Sequence, residues 1–218
     1  MPRRYKLLIF DWDGTLMDSA AAIAASIQSA CRDLDLPVPT EQQARYIIGL
    51  GLQEAMEYLL PDVDAAVYPQ LVERYRYHFL ARDAGTGLFP GAAEAVKKLH
   101  GEGHLLAIAT GKSRRGLDRA LDATGLTRYF HRTRCADEGY SKPHPGMLQC
   151  LLDDLEVPAR DALMIGDTTH DMEMARAAGV DALAVTYGAH GREALVGTSP
   201  VACVDRDHEL WRWLEDHA

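Results

Sequence analysis

Two aspartates stand one residue apart in DWDGT at 11–15, directly after a short apolar run. Residues two apart in an extended segment share a face, so Asp11 and Asp13 can address one centre. Two close carboxylates destabilise each other unless a cation lies between them or one is protonated. The pair therefore indicates a divalent-metal site, although a polar turn after a strand is an alternative that DWDGT alone leaves open.

A second pair of aspartates occurs in GDTTHD at 166–171, again after an apolar run. Asp167 falls at the expected strand end, where it could join Asp11 and Asp13 from a neighbouring strand. Oxygen-only ligands suit Mg²⁺, which keeps water in its shell and shares its sites with phosphate. We therefore expect these three residues to form a Mg²⁺ site, whereas Asp171 alone could be a favourable charge in a first helical turn.

Two further segments could bind an anion. In ATGKS at 109–113, Thr110 and the next two backbone amides lie at an expected strand end, just before a helix N-terminus. In SKPHP at 141–145, a following proline disfavours helix at Lys142, which could project from a rigid loop as a point charge for phosphate. Either segment alone is weak evidence, since a surface lysine in water is the usual case.

The rest of the chain alternates short apolar runs with amphipathic stretches, the pattern of a parallel sheet covered by helices. We predict strands at 5–10, 105–110, 162–167 and 181–186, and a weaker strand at 201–205. Caps and glycine stops predict helices over 92–103, 113–125 and 170–179. A last amphipathic helix is expected over 207–218, packing Leu210, Trp211 and Leu214. The expected fold class is α/β.

One segment interrupts this alternation. From about Leu16 to Arg82 no convincing strand pattern occurs, and helix is favoured instead. The favoured helical stretches are 19–34, 41–60 and 65–83. AGTGLFPG at 84–91, rich in glycine and proline, is typical of a hinge. The domains predicted from this pattern are a helical cap at 16–84 and a core formed by 1–15 and 85–218.

Composition argues against several classes of partner. With 32 acidic and 23 basic residues, and a net charge of -9, the chain would repel nucleic acid and anionic membranes. Its apolar runs are far shorter than a bilayer span, and the first one ends in Asp11, as a strand would rather than a signal peptide. The four cysteines are far apart, with no metal spacing, and are expected to be reduced thiols in a cytoplasmic protein.

In order and context, the four polar segments resemble the motifs of the haloacid dehalogenase superfamily. The matching residues are Asp11, Asp13 and Thr15 in Asp-x-Asp-x-Thr, Thr110 as the Ser or Thr after a strand, Lys142 as the lysine, and Asp167 and Asp171 in Gly-Asp-x-x-x-Asp. The insertion after the first motif is similar to the helical cap of the phosphoglycolate phosphatase and β-phosphoglucomutase branch. The resemblance spans the chain and implies a Rossmann-like core. The sequence departs from the family pattern at Gly111, where many relatives carry Asn.

The resemblance implies a role for each of these residues. Asp11 would attack phosphorus and form an aspartyl-phosphate, while Asp13 would protonate the leaving oxygen and then activate water. Mg²⁺ would be held by the carboxylates of Asp11 and Asp167 and by the backbone carbonyl of Trp12 or Asp13, the latter in the family pattern.

The resemblance also implies a binding site for the phosphoryl oxygens, formed by Thr110, the amide of Gly111 and the ammonium of Lys142. Asp171 would hold Lys142 or a metal-bound water. Metal and lysine together would neutralise an attack that otherwise brings an anion against an anion.

Other activities of the superfamily can be separated by sequence. Dehalogenases lack the second aspartate of the first motif, whereas Asp13 is present here. Phosphonatases use a cap lysine as a Schiff base, and residues 16–84 contain no lysine. A phosphomutase of the β-phosphoglucomutase type stays open, because it shares the core residues. A catalytically silent regulatory module on the same fold is the other alternative, against which the intact motif set argues.

The implied substrate is a small phosphorylated metabolite, with phosphoglycolate as the leading candidate. A carboxylate buried under the cap would need a cation, since an unpaired buried charge is costly. The cap offers only arginines, and Arg45 precedes the break at 49–51, so we expect it to bind an acidic substrate; a solvated helix arginine is the alternative. His144, His170 and His190 lack the spacing of a metal site and are expected to be loop residues.

Overall fold

The computed structural model describes residues 5–83 and 85–218. Its strands are β1 (Leu7–Phe10), β2 (Leu105–Thr110), β3 (Arg132–Cys135), β4 (Ala162–Gly166), β5 (Asp181–Val185) and β6 (Ala202–Val204). They form one parallel sheet in the order β3-β2-β1-β4-β5-β6. This is the doubly wound Rossmann order, in which ligands bind beyond the carboxyl ends of the strands where the order reverses. The predicted α/β fold class is confirmed.

The helices of the described residues divide between the sheet and the insertion. They are α1 (Ala20–Asp33), α2 (Glu41–Tyr46), α3 (Leu52–Leu59), α4 (Tyr68–Asp83), α5 (Ala92–Gly101), α6 (Arg114–Thr124), α7 (Gly146–Leu155), α8 (Thr169–Ala178), α9 (Arg192–Gly197) and α10 (Asp207–His217). None of those helices combines the length and the apolar character that a bilayer span requires.

The central strand explains how the layers form. All four residues of β1 are buried, and alternate side chains point to opposite faces of the sheet. Leu8 and Phe10 join a core with α5, α6 and α10, while Leu7 and Ile9 join a second core with α7, α8 and α9. The sheet is therefore covered on both faces, and its polar chemistry is confined to the strand ends.

The insertion has a hydrophobic core of its own, formed by α1 to α4. The two connections to the sheet run side by side: the Asp18 amide donates to the Gly87 carbonyl at 2.9 Å, and the Phe89 amide donates to the Leu16 carbonyl at 2.9 Å. The predicted cap boundary at 84 and the predicted core residues 1–4 lie outside the described residues.

Four elements differ from the sequence-based expectation. The single helix predicted over 41–60 is two helices, because Gly49 takes a left-handed conformation (φ +96°) and Gly51 precedes α3. Strand β3 was not predicted, since its sequence, RTRC, lies at the sheet edge and has no apolar run. Helices α7 and α9 were also missed; α7 follows the prolines that mark the Lys142 loop.

Candidate active site

The sheet register places the motif residues at one edge. Phe10 pairs with Ile108 on β2 and with Ile165 on β4. The residues that follow these positions, Asp11, Thr110 and Asp167, therefore reach the same end of the sheet, and all three are buried. The sequence prediction that they share one crevice agrees with this geometry.

A buried ion triad occupies the centre of this edge. The Nζ of Lys142 lies 2.6 Å from Oδ1 of Asp11 and 2.6 Å from Oδ1 of Asp171, and none of the Lys142 side chain is exposed. Asp171 is held in turn by Thr168, whose hydroxyl and amide donate to its Oδ2 at 2.7 and 3.0 Å. Asp171 therefore positions the ammonium of Lys142 against Asp11.

Asp167 lies beside this triad and is fixed from two sides. The Thr15 hydroxyl donates to its Oδ1 at 2.9 Å, and the Ala189 amide donates to its Oδ2 at 2.7 Å. A Cβ at Gly14, which has φ +85°, would lie 2.1 Å from Oδ2 of Asp167. The turn after Asp13 thus needs glycine both for its left-handed backbone and for the close approach of this carboxylate.

Burial makes this group of carboxylates electrostatically unbalanced. Burial raises the pKa of Asp11 from 3.8 to about 7, against the opposing charge of Lys142 and with the help of Asp171. Burial also raises the pKa of Asp167 well above its ordinary value, as do the charges of Asp11 and Asp171. Burial alone would lower the pKa of Lys142, but the two carboxylates it contacts raise it. One ammonium does not balance three carboxylates.

The arrangement fits a divalent cation. Asp11, Asp167 and Asp171 each offer an oxygen within 4.8 Å of the others. Among the described residues, the buried Oδ2 of Asp11 has no hydrogen-bond partner. A buried, unpartnered carboxylate oxygen next to a second carboxylate of raised pKa is the donor set that Mg²⁺ prefers. Asp171 is paired with the charge of Lys142, whereas the hydrogen-bond donors of Asp167, Thr15 and Ala189, are neutral and leave its negative charge for an ion.

Asp13 has a separate set of partners. Its Oδ1 accepts a hydrogen bond from the Ser19 hydroxyl at 2.7 Å and lies 2.9 Å from Nζ of Lys112. Neither partner was predicted. Ser19 occupies the N-cap position of α1, where a serine usually caps the helix, but its hydroxyl does not make a cap hydrogen bond. That hydroxyl instead donates to Asp13 and orients its carboxylate.

The cap meets the core at the turn between α2 and α3. A Cβ at Gly111 would lie 2.5 Å from the Gly49 carbonyl oxygen and 2.6 Å from that of Leu50. The amide of Gly51 donates to the Ser141 hydroxyl at 2.8 Å. The glycine that departs from the family pattern therefore has a steric reason in this structure, because the cap backbone occupies the space that a side chain would need.

Two histidines hold the same part of the cap. The Nε2 atoms of His170 and His190 lie 2.9 and 3.0 Å from the Tyr46 carbonyl oxygen, and both residues are buried. The Thr169 amide donates to Nδ1 of His190 at 3.1 Å, which leaves its Nε2 to donate to Tyr46. Burial lowers the pKa of His190 and so favours this neutral form.

The loop assignment is wrong for His170, which lies in the first turn of α8, and incomplete for His190. The loop assignment rested on the absence of a metal-binding spacing, and that criterion cannot reveal a contact with a distant carbonyl. His144 is exposed and stacks on Tyr140, as a loop residue would.

The guanidinium of Arg45 is bound by its own helix and by the loop that follows β5. Its Nε lies 2.9 Å from Oε1 of Glu41, one turn earlier in α2, and its Nη1 donates to the Gly188 carbonyl at 3.4 Å. It lines a cavity of about 460 Å³ together with Tyr46, His190 and other residues of α2 and α9. Substrate binding by Arg45 stays a prediction, and its guanidinium already has a carboxylate partner.

A Rossmann-like sheet with an inserted helical cap and a buried carboxylate–lysine centre at the strand ends defines the class of protein. Residues 8–185 match the model of the haloacid dehalogenase-like hydrolase family. The chain belongs to this family.

Relatives and solved structures agree with this assignment. The chain is 37% identical over 210 residues to the probable phosphatase IndB of Dickeya dadantii, covering 94% of this chain and 91% of that protein. It is 32% identical over 206 residues to a phosphoglycolate phosphatase of Aliivibrio fischeri, covering 89% and 90%. A hydrolase from Pseudomonas syringae, 22% identical, has the same fold, with a TM-score of 0.89 over 98% of this chain and 99% of that one. The predicted family and phosphatase class are confirmed.

The contact at Gly111 gives a first testable prediction. In Gly111→Ala, the added methyl group must displace the Gly49–Leu50 turn, and overpacking of this kind costs about 1–3 kcal/mol. We expect kcat/KM for p-nitrophenyl phosphate to fall roughly tenfold, with a melting temperature that changes little if the turn simply moves outward. Gly101→Ala is the matched control, since a Cβ there meets nothing within 4 Å. Equal kinetics for both variants would show that the turn does not need to approach Gly111.

Proposed function

We propose that this chain is a Mg²⁺-dependent phosphatase that transfers a phosphoryl group from a small metabolite to Asp11 and then to water, with phosphoglycolate as the leading substrate. The observation that carries the proposal is the buried Asp11–Lys142–Asp171 triad, with the unpartnered Oδ2 of Asp11 beside Asp167. Lys142 fixes the carboxylate of Asp11, whose two oxygens can then divide metal binding and attack on phosphorus between them.

In the first step, an oxygen of Asp11 forms a bond to phosphorus while the bond to the leaving oxygen breaks. The ammonium of Lys142 stays within hydrogen-bond distance of Asp11 and offers its charge to the phosphoryl oxygens. Thr110 and the amide of Gly111, at the end of the neighbouring strand, are the other proposed ligands of these oxygens. Asp171 keeps Lys142 in place throughout.

Asp13 transfers a proton in each of the two steps. It donates one to the leaving oxygen, so that the product alcohol departs neutral, and then takes one from the water that attacks the aspartyl-phosphate. This second step releases inorganic phosphate and restores the Asp11 carboxylate. The hydrogen bond from Ser19 supports this role, because it fixes the carboxylate of Asp13 next to the nucleophile instead of leaving it free to rotate.

The proposed cation would be held by the carboxylates of Asp11 and Asp167 and by a backbone carbonyl. The Trp12 carbonyl accepts hydrogen bonds from the amides of Leu16 and Met17 at 3.0 and 2.9 Å, which favours the carbonyl of Asp13 as the ligand. When bound, Mg²⁺ would supply positive charge that offsets the repulsion between the nucleophile and the phosphoryl group.

The proposed substrate class follows from the relatives named phosphoglycolate phosphatase. The four cysteines are free thiols, which supports the predicted cytoplasmic location. The net charge of -9 supports a small metabolite rather than nucleic acid as the partner.

Asp11→Asn should abolish turnover, because an amide is a poor nucleophile. We expect kcat to fall by a factor on the order of 10⁴ or more, as for the loss of other nucleophiles, with far-UV circular dichroism unchanged. Rapid quench of the wild type should trap a hydroxylamine-sensitive phosphoenzyme that the variant does not form. Comparable kcat in the two proteins would disprove the role of Asp11.

Asp13→Asn should slow both formation and hydrolysis of the phosphoenzyme. Proton transfer of this kind typically contributes about 10²–10⁴-fold, so we expect a loss of kcat in that range. Ser19→Ala removes only the orienting hydrogen bond and should cost less, roughly tenfold. Single-turnover phosphate release measures both; an Asp13→Asn rate within about threefold of wild type would exclude it as the proton carrier.

Removal of metal with EDTA should abolish activity, Mg²⁺ should restore it, and Ca²⁺ should inhibit because its looser shell misplaces Asp11.

Without metal, the folded state keeps a proton on Asp11 up to about pH 7, whereas the unfolded chain releases it near 3.8. Stability contributed by this group is therefore lost as pH rises between these values. We expect Mg²⁺ to raise Tm more at about pH 8 than at about pH 5.5, measured by thermal shift. An equal shift at both pH values would contradict the assignment.

A further inference from the structure

Lys112 is the second lysine of the active centre, and the mechanism above gives its side chain no task. Its Nζ lies 2.9 Å from Oδ1 of Asp13, and 4.8 Å from the centroid of the Phe79 ring. Lys112 follows β2 in the core, whereas Phe79 belongs to α4 in the cap. The ammonium therefore lies where the cap meets the core, next to the carboxylate assigned to the leaving oxygen.

The two lysines differ in how completely their charge is satisfied. Lys142 contacts two carboxylates and has no exposed side-chain surface. Lys112 contacts one carboxylate and an aromatic face, and 12% of its side chain is exposed. An aromatic face attracts an ammonium group without neutralising it. Lys112 therefore has capacity for an anionic partner in addition to Asp13.

The distances place that partner on the leaving group. A proton donor must come within about 2.6–3.2 Å of the atom it protonates, so Asp13 will lie at that distance from the leaving oxygen. Since Lys112 Nζ is 2.9 Å from the Oδ1 of Asp13, it lies within about 8 Å of the leaving oxygen, whichever oxygen of Asp13 carries the proton. A carboxylate on the carbon bonded to the leaving oxygen sits roughly 3 Å from that oxygen by ordinary bond lengths, and it can be oriented toward the ammonium.

We propose that Lys112 determines specificity by binding a carboxylate on the leaving group, one carbon away from the phosphoester oxygen. Phe79 holds the ammonium in place from the cap, so the selection is made only when cap and core are together. This inference rests on the proposed function and assigns to Lys112 the role that the sequence suggested for Arg45, whose guanidinium is paired with Glu41 instead.

The test compares two substrates of nearly equal size, 2-phosphoglycolate with its carboxylate and 2-hydroxyethyl phosphate with a neutral hydroxyl. Lys112→Met keeps the apolar stem and removes the charge. We expect kcat/KM for 2-phosphoglycolate to fall roughly 10- to 100-fold, mainly through KM, as for a lost hydrogen bond to a charged group. The value for 2-hydroxyethyl phosphate should fall less, so that the ratio of the two kcat/KM values drops roughly tenfold or more, and Lys112→Arg should restore part of the preference.

Two control variants separate local from general effects of charge. Lys97→Met removes an exposed lysine of α5 and should leave both substrates unchanged. Arg45→Gln should leave the ratio between the two substrates unchanged. If Lys112→Met lowers kcat equally for both substrates, the lysine only positions Asp13 and the proposal is wrong; a ratio that responds to Arg45→Gln instead would also overturn it.

A binding measurement makes the test independent of turnover. Calorimetric titration of Asp11→Asn should show tighter binding of 2-phosphoglycolate than of 2-hydroxyethyl phosphate, and adding Lys112→Met, or Lys112→Gln if the methionine variant does not fold, should remove the difference. No difference in the first titration overturns the role of Lys112, even where p-nitrophenyl phosphate turnover shows the phosphatase to be active. Absence of turnover with every phosphate ester would instead reject the proposed function, while the titrations still decide the role of Lys112.

Discussion

The contact on which the site depends is the buried ion pair between Lys142 and Asp11. Taking both groups out of water is costly, and the attraction between them compensates only when the geometry is close and the remaining atoms are satisfied. Asp171 completes that geometry at 2.6 Å from the same ammonium, and Thr168 fixes Asp171. Asp11, the proposed nucleophile, is therefore placed by the loop of Lys142 and, through Lys142, by the first turn of α8, and neither can move alone without leaving a charge unpaired.

The same cluster shows why a bare protein centre is incomplete. Asp167 adds a further buried carboxylate, and its pKa is raised rather than lowered. Hydrogen bonds from Thr15 and Ala189 stabilise its charge, but they do not cancel the repulsion from Asp11. The fold thus brings together more negative charge than its own lysine offsets. A divalent cation is the ligand that such an imbalance favours.

Local sequence predicted that Asp11, Thr110 and Asp167 lie at one edge, because each lies at the end of an apolar run in a sheet whose register is set by burial on both faces. Strand β2 spans the predicted 105–110 for this reason. The edge strand β3 has no such run and was missed. The contacts of the cap could not be predicted either. The space beside Gly111 is filled by the distant Gly49 carbonyl, and the two histidines converge on Tyr46 from different loops. No spacing within one segment encodes contacts of this kind.

The two lysines have different surroundings. Lys142 is held by two carboxylates of the core, so its surroundings in the protein do not depend on the leaving group. Lys112 is only partly satisfied and is bounded on one side by Phe79, a residue of the inserted helices. The inserted helices can therefore vary in sequence without disturbing the Asp11–Lys142–Asp171 triad, yet still change the groups that contact the ammonium of Lys112. In this proposal the residues for phosphoryl transfer lie on the sheet, and the residue that selects the substrate lies at the boundary between sheet and cap. One catalytic centre can then serve different leaving groups.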